Sequence, residues 1–179
     1  TNFDCSAHFV KSVDDLQKTM SITPAYLVTQ DADGIQDYSQ ITMELGRRFR
    51  ALKLWFVIRA YGVAGLQKII RDHVAWAEQL AERLGAVPGI ELTSPVQLGL
   101  FSFRIRPEGT EDGEALDRLN AEFLDAVNGD GTIYLTQTVH EGRYIIRVSI
   151  GTTATSQDDI DIAFDTITRL AAPYLKTAT

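Results

Sequence analysis

From residue 90 onward the apolar residues alternate twice between the strand period and the helical period, and that order leaves few folds open. Residues 90–93 and 96–106 read as strands, with Phe101, Phe103 and Ile105 on one face and Ser102, Arg104 and Arg106 on the other. Residues 114–127 change to helical spacing and turn Leu116, Leu119, Phe123 and Val127 inward. Residues 132–139 and 143–150 are strands again, joined by a tight turn at Glu141-Gly142. There Tyr144, Ile146, Val148 and Ile150 oppose Ile145, Arg147 and Ser149, and Arg147 reads as a paired arginine within a sheet. Ser156 with Asp159 resembles a capping box, with aspartate in place of the usual glutamate. It opens a last helix through Leu175 that buries Ile160, Phe164, Ile167 and Ala171. Strand, strand, helix, twice over, predicts an α+β unit: an antiparallel sheet covered by helices on one side.

The preceding stretch reads differently. Residues 63–84 form the clearest helix, apolar at Leu66, Ile69, Ile70, Val74, Ala77, Leu80, Ala81 and Leu84 and ended by Gly85 and Pro88. Residues 47–61 form another, apolar at Leu52, Trp55, Phe56 and Ile58 and stopped by Gly62. Before it, residues 45–50 hold Gly46 and pack Arg47, Arg48 and Arg50 into four positions. Residues 2–10 carry Phe3, Cys5, Ala7, Phe9 and Val10 and predict a mostly buried strand, in which Asp4 must find a partner. A chain that starts inside a core element is expected to be a piece of something longer. Ser12 is placed to cap a short helix over 13–20. Residues 21–40, with Pro24, Asp31, Asp33 and Gly34, keep no period and read as a long loop, with Tyr26, Leu27 and Val28 in need of cover. A lid closing over a site would supply that cover. A boundary between two units is expected near Gly62.

Charge and motifs narrow the functions. A formal net charge of −7 argues against nucleic acid or an anionic membrane surface as a partner. The longest apolar run is too short to span a bilayer. The single cysteine, Cys5, can form no disulfide within the chain, which makes a reducing, cytoplasmic setting the expectation. There is no Gly-x-Gly-x-x-Gly and no P-loop. His8, His73 and His140 lie far apart without ligand spacing, so no metal is expected; His73, beside an apolar helix stripe, reads as structural.

Three stretches together carry a resemblance. They are Asn2-Phe3-Asp4-Cys5-Ser6-Ala7, the run Leu45-Gly46-Arg47-Arg48-Phe49-Arg50-Ala51-Leu52-Lys53-Leu54-Trp55 continuing to Val63, and Ile133-Tyr134-Leu135-Thr136 with Tyr144-Ile145-Ile146-Arg147. In order and approximate spacing they resemble the C-terminal part of the group II pyridoxal-phosphate-dependent decarboxylases, most closely the aromatic-L-amino-acid decarboxylases. The resemblance implies an α/β, PLP-dependent transferase-like fold (fold type I). Residues 1–62 would be the C-terminal end of the large cofactor-binding domain, with a mobile catalytic loop at about 21–40, and residues 63–179 the α+β small domain.

It also implies chemistry. The cofactor would be pyridoxal 5'-phosphate, and its lysine, in a His-Lys-Trp motif of the family, would lie just upstream of Thr1. No cofactor-binding residue is then expected in this chain, since Lys11, Lys18, Lys53 and Lys68 stand in the wrong context. The reaction would be decarboxylation of an aromatic L-amino acid of the tryptophan, DOPA, tyrosine or phenylalanine type, by a homodimer that shares its active sites. Tyr26 matches the loop tyrosine that protonates Cα after CO2 leaves; a phenol of pKa ~10 holds its proton at neutral pH. Relatives that make aldehydes carry phenylalanine there. Leu45 and Gly46 match positions that approach the substrate ring from the partner subunit, and a glycine there leaves room for an indole. Arg47, Arg48 and Arg50 read as scaffolding. Three features depart from the pattern: 38–44, where relatives often show Trp-Gln-Ile-Pro; the preceding loop, slightly shorter than in the animal enzymes; and His8, where relatives usually carry a large apolar residue. The alternatives are a non-catalytic folding or dimerisation module, and a decarboxylase of a non-aromatic amino acid.

Overall fold

The computed structural model describes residues 4–21, 38–44, 46, 48–111 and 113–175. The chain divides into two compact units, Thr1–Val63 and Ala64–Thr179.

In the first unit, α1 spans Val13–Met20. The Ser12 hydroxyl oxygen accepts the Asp15 N–H at 3.2 Å, and Asp14 and Asp15 face the positive end of the helix. A 3-10 turn over Tyr38–Ile41 lies against it. The Gln40 side-chain oxygen there accepts Gln17 Nε2 at 3.0 Å and the Ser21 hydroxyl at 3.3 Å. Next, α2 spans Ala51–Gly85, starting later than residue 47, with a break at Gly62 (φ 68°, ψ 164°). That conformation is open to glycine and costs any other residue strain, so the Gly62 signal for a helix stop marks a break after which helix resumes.

Two expectations fail in this unit. Residues 4–10 form no strand, and most are exposed; Phe9 is 90% accessible. The first turns of α2 are not core either, for Leu52, Trp55, Phe56 and Ile58 are all exposed. The physical reason is the same in both places. An apolar pattern shows that a segment seeks cover, but a strand is buried only by neighbours on its flanks, and no described strand pairs with 4–10.

The second unit is built on one antiparallel sheet. Its strands are β1 (Ile90–Leu92), β2 (Leu100–Ile105), β3 (Thr136–His140) and β4 (Arg143–Ser149), in the order β1-β2-β4-β3. Ile90 pairs with Ile105, Phe103 with Ile146 and Phe101 with Val148, which puts these apolar residues on one face. They share one core with Leu80 and Leu84 of α2, with Phe123 and Val127 of α3 (Glu114–Asp130), and with Ile160 and Ile167 of α4 (Gln157–Leu175). Edge-on ring contacts run from Phe103 to Phe123 at 6.4 Å and on to Tyr174 at 5.8 Å. The Arg83 guanidinium lies 4.1 Å from the centre of the Phe164 ring. Ser156 and Asp159 form the expected box: the Ser156 N–H donates to the Asp159 carboxylate at 2.8 Å, and the Asp159 N–H donates back to the Ser156 hydroxyl at 3.4 Å.

The polar face of β2 is not open to solvent. Every residue from Phe101 to Ile105 is buried, and Arg104 is fully inaccessible. Its Nη2 lies 3.4 Å from an Asp117 carboxylate oxygen. By contrast Arg147, expected to be the paired arginine of the sheet, stands half-buried opposite Ser102 and Thr136, with no ion pair to a described residue.

Beyond Phe103 and Ile146 the ladder between β2 and β4 ends, and α3 takes over the freed backbone groups. The Asn120 amide accepts the Ile105 N–H at 2.8 Å and donates to the Ile105 carbonyl at 2.9 Å. The same Asp117 oxygen accepts the Tyr144 N–H at 3.0 Å. Three turns on, Asn128 accepts the Leu135 N–H at 2.9 Å and donates to the Leu135 carbonyl at 3.0 Å. Buried backbone polar groups need partners, and side chains of α3 supply them where the sheet opens.

Candidate functional site

Of the three residues singled out for a site, Tyr26 and Leu45 lie outside the described residues, as does Arg47. Gly46 is described. It sits exposed in a bend, and a Cβ added to it would meet no atom within 4 Å. The space beside it is open, whatever comes to fill it. On its N-terminal side the Thr42 hydroxyl donates to the Glu44 carbonyl at 2.8 Å and closes a turn. On its C-terminal side the Arg50 N–H donates to the Arg48 carbonyl at 2.7 Å, and α2 begins.

The ordered electrostatic feature near this bend comes from Asp4. Arg50 Nε donates to one carboxylate oxygen of Asp4 at 2.9 Å, and Lys53 Nζ lies 3.6 Å from the other. The hydrogen bond from Arg50, then one from the Asp4 backbone, hold the Asp4 carboxyl below the usual aspartate range. The partner was expected because Asp4 would be buried in a strand; Asp4 is instead exposed, and its partner lies in the arginine run 46 residues on. Arg50 thus has a scaffolding contact.

The other chemistry-bearing groups do not converge. His8 and His140 are exposed, and the His73 ring nitrogen Nε2 lies 3.0 Å from the Thr152 carbonyl. Among the described residues no group of three His, Cys, Asp or Glu side chains could hold a metal ion. A shallow depression beside α1 is lined by Val10, Lys11, Ser12, Asp15, Leu16 and Thr19, but its Ser12 hydroxyl already caps the helix. No helix among the described residues is long and apolar enough to cross a membrane.

Residues 1–106 match the family model of the pyridoxal-dependent decarboxylase conserved domain. The chain is 37% identical to tryptophan decarboxylase 2 of Oryza sativa subsp. japonica, over 92% of this chain and 33% of that protein. It is 35% identical to phenylacetaldehyde synthase of Arabidopsis thaliana, over 98% of this chain and 36% of that protein. Its fold matches the crystal structure of Oryza sativa TDC with PLP and tryptamine at a TM-score of 0.78, with 30% identity, covering 89% of this chain and 34% of that one. The chain thus spans about a third of the length of these relatives, and its described residues form a four-stranded sheet with helices, an α/β portion similar to part of fold type I decarboxylases.

Pyridoxal phosphate, which the family requires, needs an enclosed lysine for its aldehyde and a cradle of donors for its phosphate. Lys11 is exposed, Lys18 and Lys68 are exposed and paired with Asp15 and Asp72, and Lys53 is partly exposed against Asp4. None stands in an enclosed site, so the described residues do not by themselves fit the cofactor. The family rests on the matched length instead: with more than half of its residues under the family model, the chain belongs to the pyridoxal-dependent decarboxylases.

Proposed function

We propose that the protein carrying this chain is a pyridoxal-phosphate-dependent carboxy-lyase that converts an aromatic L-amino acid to its amine. The observation that carries this reading is identity of 35–37%, over more than nine-tenths of this chain, to proteins named for aromatic chemistry, a tryptophan decarboxylase and a phenylacetaldehyde synthase. In this reading residues 1–62 close the large domain, residues 63–179 are the small domain, and a cytoplasmic homodimer shares its sites. Pyridoxal phosphate, held by residues other than those described, would supply the electron sink for decarboxylation at Cα. Tyr26 then delivers its phenolic proton to Cα, which demands that a loop hold it close and exclude water. Leu45 and Gly46 form a wall of the ring pocket, with glycine leaving volume for an indole. In this reading activity belongs to the whole dimer, since the loop bearing Tyr26 and the bend at Gly46 serve the partner subunit's site.

The test is a substrate panel on the full-length, cofactor-loaded protein. Amine and CO2 should form from at least one of tryptophan, tyrosine, DOPA and phenylalanine; turnover confined to glutamate or another non-aromatic amino acid would sink the reading. The phenylacetaldehyde synthase relative supports a second outcome, aldehyde in place of amine. Tyr26 favours the amine. Tyr26→Phe should therefore cut amine formation by about tenfold or more and raise the aldehyde share, consistent with the usual size of a lost general acid. Chromatography of both products checks it, and an unchanged ratio would remove Tyr26 from the role.

A further inference from the structure

The segment 4–10 and the start of α2 are joined by one carboxylate. Both oxygens of Asp4 are engaged, one by Arg50 Nε at 2.9 Å and the other by Lys53 Nζ at 3.6 Å. Arg50 immediately precedes α2 and Lys53 lies in its first turn, where the Lys53 N–H donates to the Arg50 carbonyl at 3.1 Å, and both cations reach the same carboxylate. No other side chain of 4–10 hydrogen-bonds to a described residue, and no strand pairing or backbone bond to a described residue holds that segment. The Arg50 side chain is 29% exposed, less than a free surface arginine. Four residues before Arg50 comes Gly46, in a bend with open space beside it.

We propose that Asp4, Arg50 and Lys53 form a positioning clamp that fixes the bend bearing Gly46 against the segment 4–10, and so sets the width of the pocket that receives the aromatic ring. The clamp rests on the reading that Gly46 lines that pocket. Its physics is that of a small network. An isolated surface pair stabilises little, but a carboxylate that accepts a guanidinium hydrogen bond at one oxygen and has an ammonium 3.6 Å from the other is attracted by two cations. Such a network adds little to global stability. It matters where no other hydrogen bond to a described residue holds a segment, because a small displacement of a ring-contacting wall alters substrate binding. Asp4 and Arg50 are therefore positioning residues.

The experiment uses the full-length, cofactor-loaded protein with Asp4→Asn, Arg50→Gln, the double variant and Asp4→Glu. Asp4→Asn and Arg50→Gln should each raise KM for the aromatic substrate by about threefold to tenfold, while kcat and the cofactor absorbance stay within about twofold. The double variant should match the worse single variant, since both remove one interaction. Asp4→Glu, which keeps the charges, should recover a KM close to that of the unmutated protein. An unchanged KM, additive effects in the double variant, or no rescue by Asp4→Glu would overturn the clamp. Hydrogen exchange of the peptide over 42–50 reads the clamp without catalysis. Faster exchange in Asp4→Asn supports it even if no aromatic amino acid is turned over, an outcome that would instead refute the proposed substrate class. Unchanged exchange would overturn the clamp whatever the substrate.

Discussion

Asn120 carries three hydrogen bonds from a fully buried side chain, to the Ile105 N–H, the Ile105 carbonyl and the Leu116 carbonyl. Asn120→Ala leaves both backbone groups of Ile105 without that partner in a site closed to solvent. The expected loss is about 2–4 kcal/mol, from an unsatisfied donor and acceptor at the usual penalties. Urea denaturation of the full-length protein would show it as a lower midpoint. Asp159 makes a different prediction. The Ser156 backbone N–H, and then its hydroxyl, hold the Asp159 carboxyl below the usual range. A depressed folded-state value means that its contribution is complete above the unfolded value of about 4 and disappears as pH falls through the folded value. Asp159→Asn should therefore lower Tm at neutral pH, and the gap from the unmutated protein should narrow as pH falls below the unfolded value. A gap that stays constant across that range would show that the carboxylate charge is not the cause.

At the scale of elements, the hairpin turn and the helix break make opposite demands. Glu141 and Gly142 both have positive φ, 51° and 76°, as a two-residue turn between β3 and β4 requires. Glu141 bears the strain of that position and has an exposed pairing with Arg143 in return. Glu141→Asn should stabilise by about 0.5–1 kcal/mol, because asparagine tolerates the left-handed region better and a surface ion pair is worth little. At Gly62 a Cβ would meet nothing, so only the backbone objects. Gly62→Ala should cost about 1–3 kcal/mol, or restore a straight helix with altered helicity by circular dichroism. The order of elements was legible because β2, β4, α3 and α4 each turn one apolar face to one core, and a single face is what a period reports. Burial of Arg104 was not legible, because its partner Asp117 arrives from another element. The exposure of Trp55 and Phe56 was not legible either, for a pattern states a need for cover and cannot name the cover.

For the whole molecule, the split between site and scaffold is uneven. The second unit has a complete core in this chain, whereas the first leaves Phe9, Met43, Phe49 and Phe56 exposed. Single exposed apolar residues on a surface are ordinary, but Met43, Phe49, Trp55 and Phe56 fall within fourteen residues of one another. The candidate site was legible only through resemblance. Nothing in the period or charge of 21–50 separates Tyr26 or Gly46 from an ordinary loop tyrosine or turn glycine, and the roles proposed for them come from motif order. Direct reading asked for a partner for Asp4 on the ground of burial; Asp4 is exposed, and its contacts with Arg50 and Lys53 are surface contacts.

The polar contacts of α3 have one more consequence. Asp117, Asn120 and Asn128 fall on one side of the helix, since eleven residues make about three full turns. Together they hold five backbone groups at three separate places: the Ile105 N–H and carbonyl, the Tyr144 N–H, and the Leu135 N–H and carbonyl. Phe123 and Val127 would stay greasy against the sheet if α3 slid along its axis by a turn, about 5.4 Å, but all five groups would lose their partners at once. Oil sets how strongly this helix adheres; three teeth on a key set the only notch in which it stops.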